Sequence, residues 1–178
     1  NLIFYYNLII YYPVLGGHIR SSEPLVETLG GDDVLKALYA LNMSGLTEAQ
    51  LYLRRYRELS NGQQYRAMIA NLIDFGANVW VADEFCSALD FFTANIVAQN
   101  VRKHVKHIGI TVIVASPYPQ PFLNSLQPDI VVSMLSAWEH RIYSGTEFAQ
   151  MLQHNQLLES TDHVQEKPLA KDFAKGRI

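Results

Sequence analysis

Two adjacent carboxylates, Asp83 and Glu84, follow directly on the apolar run Val79–Ala82 of this 178-residue sequence. A buried strand fixes such a pair at the edge of a sheet, where one acid can hold magnesium and the next can orient a water. The competing reading is plain: an Asp-Glu pair opens a turn after many strands and does nothing more. A second polar cluster lies upstream. Ser60, Asn61, Gly62 and Gln63 make a turn ahead of a helical pattern, and Arg66 follows three residues later. Ser60 reads there as a helix N-cap, a role that needs only its hydroxyl. Gly62 reads equally well as an ordinary turn glycine.

The elements that must hold these residues are legible from periodicity. Val34, Leu35, Leu38 and Leu41 recur at helical spacing after Asp32. "LTEAQLYLRRY" continues in the same vein, with Thr47 and Gln50 in an approximate capping-box arrangement. After Ser60, the residues Tyr65, Met68, Ile69, Leu72 and Ile73 share one helical face, and Gly76 is placed to stop that helix in a left-handed conformation. The run Val79–Ala82 then reads as a strand buried on both faces of a parallel sheet. A further helix carries Val97, Val101, Val105 and Ile108 and stops at Gly109. "ITVIVAS" and "DIVVSML" read as two more buried strands. Strand, helix, strand in this order predicts an α/β domain with a parallel sheet, whose functional residues gather at the carboxyl ends of the strands. Those ends are Asp83-Glu84 and Ser116-Pro117.

Bulk properties narrow the classes. With 49% hydrophobic and 17% charged residues the chain is of globular composition, and it is long enough for one sizeable core. A net charge of −3 gives no electrostatic reason to expect nucleic acid as a general partner. The single cysteine, Cys86, excludes an internal disulfide and points to a reducing, cytoplasmic setting. The apolar opening "NLIFYYNLIIYY" runs only about a dozen residues before Pro13, short of the roughly 20 a membrane helix needs. It lacks a basic leader region, so a buried strand or edge segment is the expectation. The sequence opens with Asn, which fits an excerpt of a longer protein. Three regions are expected: 1–31, an apolar segment of open role; 32–137, the α/β core with its helical part; and 138–178, an extension with a short helix at Phe148, Met151 and Leu152 and a polar tail.

Three stretches occur in order at close spacing: "LSNGQQYR" from Leu59, "VWVADEF" from Val79 and "SALD" from Ser87. Together they resemble the carboxyl-terminal half of an ATP-binding-cassette (ABC) ATPase domain, over roughly Asp33 to Val132. "LSNGQ" looks like the family's signature loop, "VWVADE" like its Walker B strand and "SALD" like its D-loop. In texture, "LYLRRYRELSNGQQYR" and "LQPDIVV" look most like ABC-type ATPases fused to a predicted acetyltransferase domain. The resemblance implies a P-loop NTPase-like parallel sheet with a helical subdomain, ATP and Mg2+ as cofactors, and a second subunit, in a homodimer, as partner. It implies that Ser60, Asn61, Gly62 and Gln63 face the γ-phosphate of ATP held by the opposite subunit. A helix N-terminus suits that role through its exposed N–H groups and dipole. Gln63 and Arg66 would brace the loop, Asp83 would act on Mg2+ through water, Glu84 would polarise the attacking water, and Asp90 would lie at the dimer interface.

The departures are as specific as the matches. Asn61 stands where the signature has its first glycine, and Asn tolerates left-handed backbone well enough for the turn to survive. Pro117 or Tyr118 stands where the family has its switch histidine, which puts fast hydrolysis in doubt. No GxxxxGK[ST] occurs anywhere in the sequence, and "LGGHIRSS" lacks both its lysine and its spacing. The expected reading is therefore an ABC-type ATPase domain supplied without its phosphate cradle. Its rivals are an inactive half-domain that serves as an interaction module or gene remnant, and a chromosome-maintenance or repair ATPase, whose signature usually carries an acid where Gln63 stands. His104 and His107, spaced for a helix face, read as a solvated basic face with Arg102, Lys103 and Lys106 rather than as metal ligands. Arg54, Arg55 and Arg57 read as exposed charge, and Cys86 has no activating base nearby.

Overall fold

A computed structural model of the chain describes residues 2–5, 19, 22–135 and 138–154. Among the described residues five strands form one sheet: β1 (Leu2–Tyr5), β2 (Val79–Ala82), β3 (Thr111–Ala115), β4 (Ile130–Met134) and β5 (His140–Ser144). Their order is β2-β3-β1-β4-β5. The first four run parallel, with Val79 beside Thr111, Ile3 beside Ile113 and Ile3 beside Ile130. β5 closes the far edge antiparallel to β4, with Ile142 opposite Val132. Thus β1, from the segment whose role the sequence leaves open, is the central strand. The sheet also continues past residue 137 into β5.

The helices are α1 (Leu25–Thr28), α2 (Val34–Met43), α3 (Ala49–Tyr52), α4 (Asn61–Phe75), α5 (Phe91–Ile108) and α6 (Leu123–Leu126), with a 3-10 turn at Tyr56–Glu58. Residues 145–154 form a further helix, α7. Several ends follow local chemistry. Asp33 caps α2 by accepting from the N–H groups of Leu35 and Lys36. Gly76 and Gly109 stop α4 and α5 at φ 70° and 74°, as their positions predict.

Other expectations change. The helix expected across "LTEAQLYLRRY" is a single turn, because Leu25 N–H bonds to the Arg54 carbonyl and Pro24 bridges Arg55, which draws the chain out. Thr47 caps nothing there; Glu48 holds the N-cap position without a side-chain bond. On α2 the buried face is Ala37, Ala40 and Leu41, while Val34 and Leu35 stay exposed. Small alanines on α2, and Ala67 and Ala70 on α4, let the two helices pack closely. Lys36 Nζ, 2.9 Å from Asp74 Oδ1, ties their ends together.

One face of the sheet is covered and the other is largely not. Trp80, Val112, Val114 and Val131 share the face that α5 covers with Val97, Val101 and Val105, and all are buried. The alternate residues Val79 (55% exposed), Val81, Ile130 and Ile142 remain open. The expectation that Val79–Ala82 is buried on both faces is therefore corrected. Among the described strands β2 lies at one edge of the sheet, beside β3, with one covered face.

Candidate functional site

The acids sit where the strand ends. Asp83 and Glu84 follow β2 in a tight loop whose side chains alternate between solvent and core. Phe85 and Cys86 are buried, whereas Asp83, Glu84, Ser87 and Ala88 are exposed. Phe85 meets Phe122 edge-on with ring centroids 5.1 Å apart, and Phe85 N–H bonds to the Ala115 carbonyl at 2.8 Å. The loop is thereby pinned to the carboxyl end of β3. This alternation requires two left-handed turns at non-glycine residues, Glu84 (φ 50°) and Cys86 (φ 62°). Such conformations disfavour L side chains and collect at functional sites. Asp83 Oδ1 accepts the Glu84 N–H at 2.9 Å, and the Ser87 hydroxyl donates to the Glu84 carbonyl at 2.8 Å.

The signature-like turn is built as a reciprocal cap. Ser60 Oγ accepts the Gln63 N–H, and Gln63 Oε1 accepts the Ser60 N–H at 3.0 Å. This pairing accounts for both residues structurally. Arg66 holds the turn from below, donating to the Gly62 carbonyl at 3.3 Å and to the Gly45 carbonyl at 2.7 Å. Asn61 is the first helical residue and does not use the left-handed geometry expected of it. Nor does Gly62. Its glycine is explained by closeness: a Cβ there would lie 3.3 Å from the Ala88 carbonyl oxygen and 3.5 Å from Leu89 Cδ2.

That contact brings the turn of α4 against the loop that carries the acids. A second link lies one helical turn further along, where the Cys86 N–H donates to the Tyr65 hydroxyl at 2.8 Å. Burial pushes the Tyr65 phenol well above its ordinary range, so its proton stays in place. Burial likewise pushes the Cys86 thiol up, so it remains a packed thiol and not a nucleophile. Asp90 closes the loop as the N-cap of α5, accepting from the N–H groups of Phe92 and Thr93 and from the Thr93 hydroxyl at 2.6 Å. The Thr93 bonds hold its carboxyl below the usual carboxylate range. Ser60–Gln63, Asp83-Glu84 and Asp90 are thus joined through one continuous set of contacts. Tyr65, Phe85 and Ser87 are members to which sequence reasoning gave no role, although Tyr65 lies on the inner face of α4 and Phe85 and Ser87 fall within the motif stretches.

Ser116, buried at the end of β3, accepts the Tyr118 N–H at 3.3 Å, and Tyr118 is exposed. His104 departs from its expected place. It is buried, stacked on Trp80 with centroids 5.4 Å apart, and its Nδ1 lies 3.0 Å from the Tyr39 hydroxyl. Its position on the inward face of α5 removes it from the solvated basic face. Among the described residues no three His, Cys, Asp or Glu side chains converge as a metal site of their own. Among them, too, no helix is long and apolar enough to cross a membrane.

A mostly parallel sheet covered on one face by α5, with acids at the carboxyl end of β2, is an α/β fold of the kind that ABC ATPases have. Solved structures share it. The ATP-binding cassette MJ0796, dimeric in a post-hydrolysis state bound to ADP and Pi, matches with a TM-score of 0.60 and 20% identity over 73% of this chain and 60% of its own. CbiO1 from Clostridium perfringens, part of the ABC transporter complex cbiONQ, matches with a TM-score of 0.57 and 24% identity over 78% of this chain and 55% of its own. No family model matches the chain. Within it, 83 residues are 34% identical to the phosphonates import ATP-binding protein PhnC of Staphylococcus aureus, covering 47% of this chain and 32% of that protein. The chain thus spans about a third of the length of the curated relatives it matches.

Proposed function

We propose that this chain supplies the signature-and-acid half of an ABC-type ATPase site, working as a nucleotide-sandwich dimer in the cytoplasm. Ser60 to Gln63 would face the terminal phosphate of a nucleotide held by a second subunit, and Asp90 would lie against that subunit. The observation that carries the proposal is the seat of Gly62 on the Ala88 carbonyl, which sets the signature-like turn directly on the loop of the acid pair.

The residues fit Mg2+ in part. Magnesium binds through one or two carboxylates and completes its shell with phosphate and water. Asp83, exposed and with one oxygen bonded to the Glu84 N–H, can serve as that carboxylate. Glu84, exposed beside it, can accept a proton from a water and orient it. When bound, Mg-ATP supplies the phosphoanhydride whose cleavage would separate the subunits. No GxxxxGK[ST] cradle occurs among these 178 residues, so in this reading other sequence would supply it. The finer likeness to ATPases fused to an acetyltransferase domain rests on sequence texture alone and is kept as part of the proposal.

The test is magnesium-ATP binding and turnover by the product of the full reading frame, beside its Glu84→Gln form. The wild type is expected to hydrolyse ATP. The substitution is expected to lower turnover by about 10²-fold or more and to trap an ATP-bound dimer. A full-length product that binds no nucleotide overturns the ATPase reading in favour of the inactive interaction module.

A further inference from the structure

A cleft of about 670 Å3 opens between the second half of α5, α6 and α7. It lies at the end of the sheet where β4 begins and β5 finishes, opposite the end that carries Asp83 and Glu84. Its volume falls in the range of small-molecule sites. Arg102 and Lys106, one turn apart on α5, line it together with Gln127, Asp129, Thr146 and Gln150.

Among the described residues Arg102 and Lys106 form no ion pair, and the buried Arg102 Nε meets no hydrogen-bond partner. Lys106, in the last turn of α5, is placed to complement the helix dipole. Arg102 lies a turn earlier, beyond that account. A guanidinium is a planar fork of donors that matches phosphate and carboxylate, and a buried donor of this kind is normally met by an acceptor.

We propose that this cleft binds a small molecule through an anionic group, phosphate or carboxylate, that meets Arg102 and Lys106. Thr146 and Gln150, on α7, can bond hydroxyl or amine groups at the ligand's other end. The bound molecule bridges α5 and α7. The site is separate from the signature-and-acid unit and stands or falls without it.

The experiment is a titration of the 178-residue chain, followed by amide NMR shifts, with glucose 6-phosphate, with citrate and with glucose. Arg102→Met and Lys106→Met forms are measured beside the wild type, each checked by thermal melting. Saturable shifts at Thr146 and Gln150 are expected with one or both anions and not with glucose. Each substitution is expected to weaken the affinity at least about tenfold, as loss of a charge-assisted bond does. A response to glucose 6-phosphate alone assigns the phosphate, to citrate alone the carboxylate. If Arg102→Met does not fold, Lys106→Met, at an exposed position, decides by itself. No saturable shift with either anion by about 10 mM, or equal affinity in the folded variants, overturns the proposal.

Discussion

Glu84 and Cys86 hold left-handed backbone at positions where glycine would be unstrained, and the packing of Phe85 and Cys86 into the core, with their N–H bonds to Ala115 and Tyr65, holds them there. The cost is about 1–2 kcal/mol for a side chain in that region. The main bonds at Glu84 run through its backbone: its N–H goes to Asp83 and its carbonyl to Ser87, both of which glycine keeps. Glu84→Gly is therefore expected to hold or raise stability, by up to about 1 kcal/mol, while removing the carboxylate that the proposed chemistry uses. Urea unfolding of the two forms measures this. A clear loss of stability on substitution shows that no strain is stored at the acid. None of this was legible in the sequence, since a strained φ at an ordinary residue is imposed by neighbours distant along the chain. The exposure of Asp83 and Glu84 after an apolar strand was legible, because the strand itself dictates it.

At the scale of elements, α4 links two parts of the molecule: its first turn touches the 87–90 loop and its last is tied to α2 through Lys36 and Asp74. Gly62 sits at the first of those links. Alanine there needs the Ala88 carbonyl to give by a few tenths of an ångström, which an exposed loop permits. Gly62→Val adds bulk that the loop cannot clear without moving. It is expected to cost about 1–3 kcal/mol and to shift the Ser87 to Leu89 amide resonances, read by urea unfolding and NMR. An unchanged midpoint and unchanged shifts argue against the linkage. Ser60, Gly76 and Gly109 were readable because caps and stops depend on a few adjacent residues. The outward face of Val34 and Leu35 was not, because the alanine seam that decides it belongs jointly to α2 and α4. The place of β2 was hidden for a related reason: strand order is set by all strands together, and four apolar residues look alike at the centre or the edge of a sheet.

Across the whole molecule, His104 sits where three elements meet, between Tyr39 of α2 and Trp80 of β2, with His107 nearby on α5. Burial first, and the His107 charge second, hold its folded pKa below the ordinary imidazole value of 6.5. The folded chain thus keeps His104 neutral while the unfolded chain takes up a proton below 6.5. Its contribution is full above that value and declines as pH falls toward the folded pKa. Urea midpoints at about pH 7.5 and about pH 5.5 are expected to differ, and His104→Phe is expected to reduce the difference. Equal pH dependence in both forms rules out the histidine as the cause. The sheet that His104 helps to anchor ends at β2, whose outer edge is unpaired among the described strands and whose Val79 and Val81 stand open beside it. An edge of that kind is a template for stray strand pairing between molecules. In the test tube it makes β2 one place where concentrated protein would begin to aggregate, and so a segment that bears on how concentrated a stock can be kept.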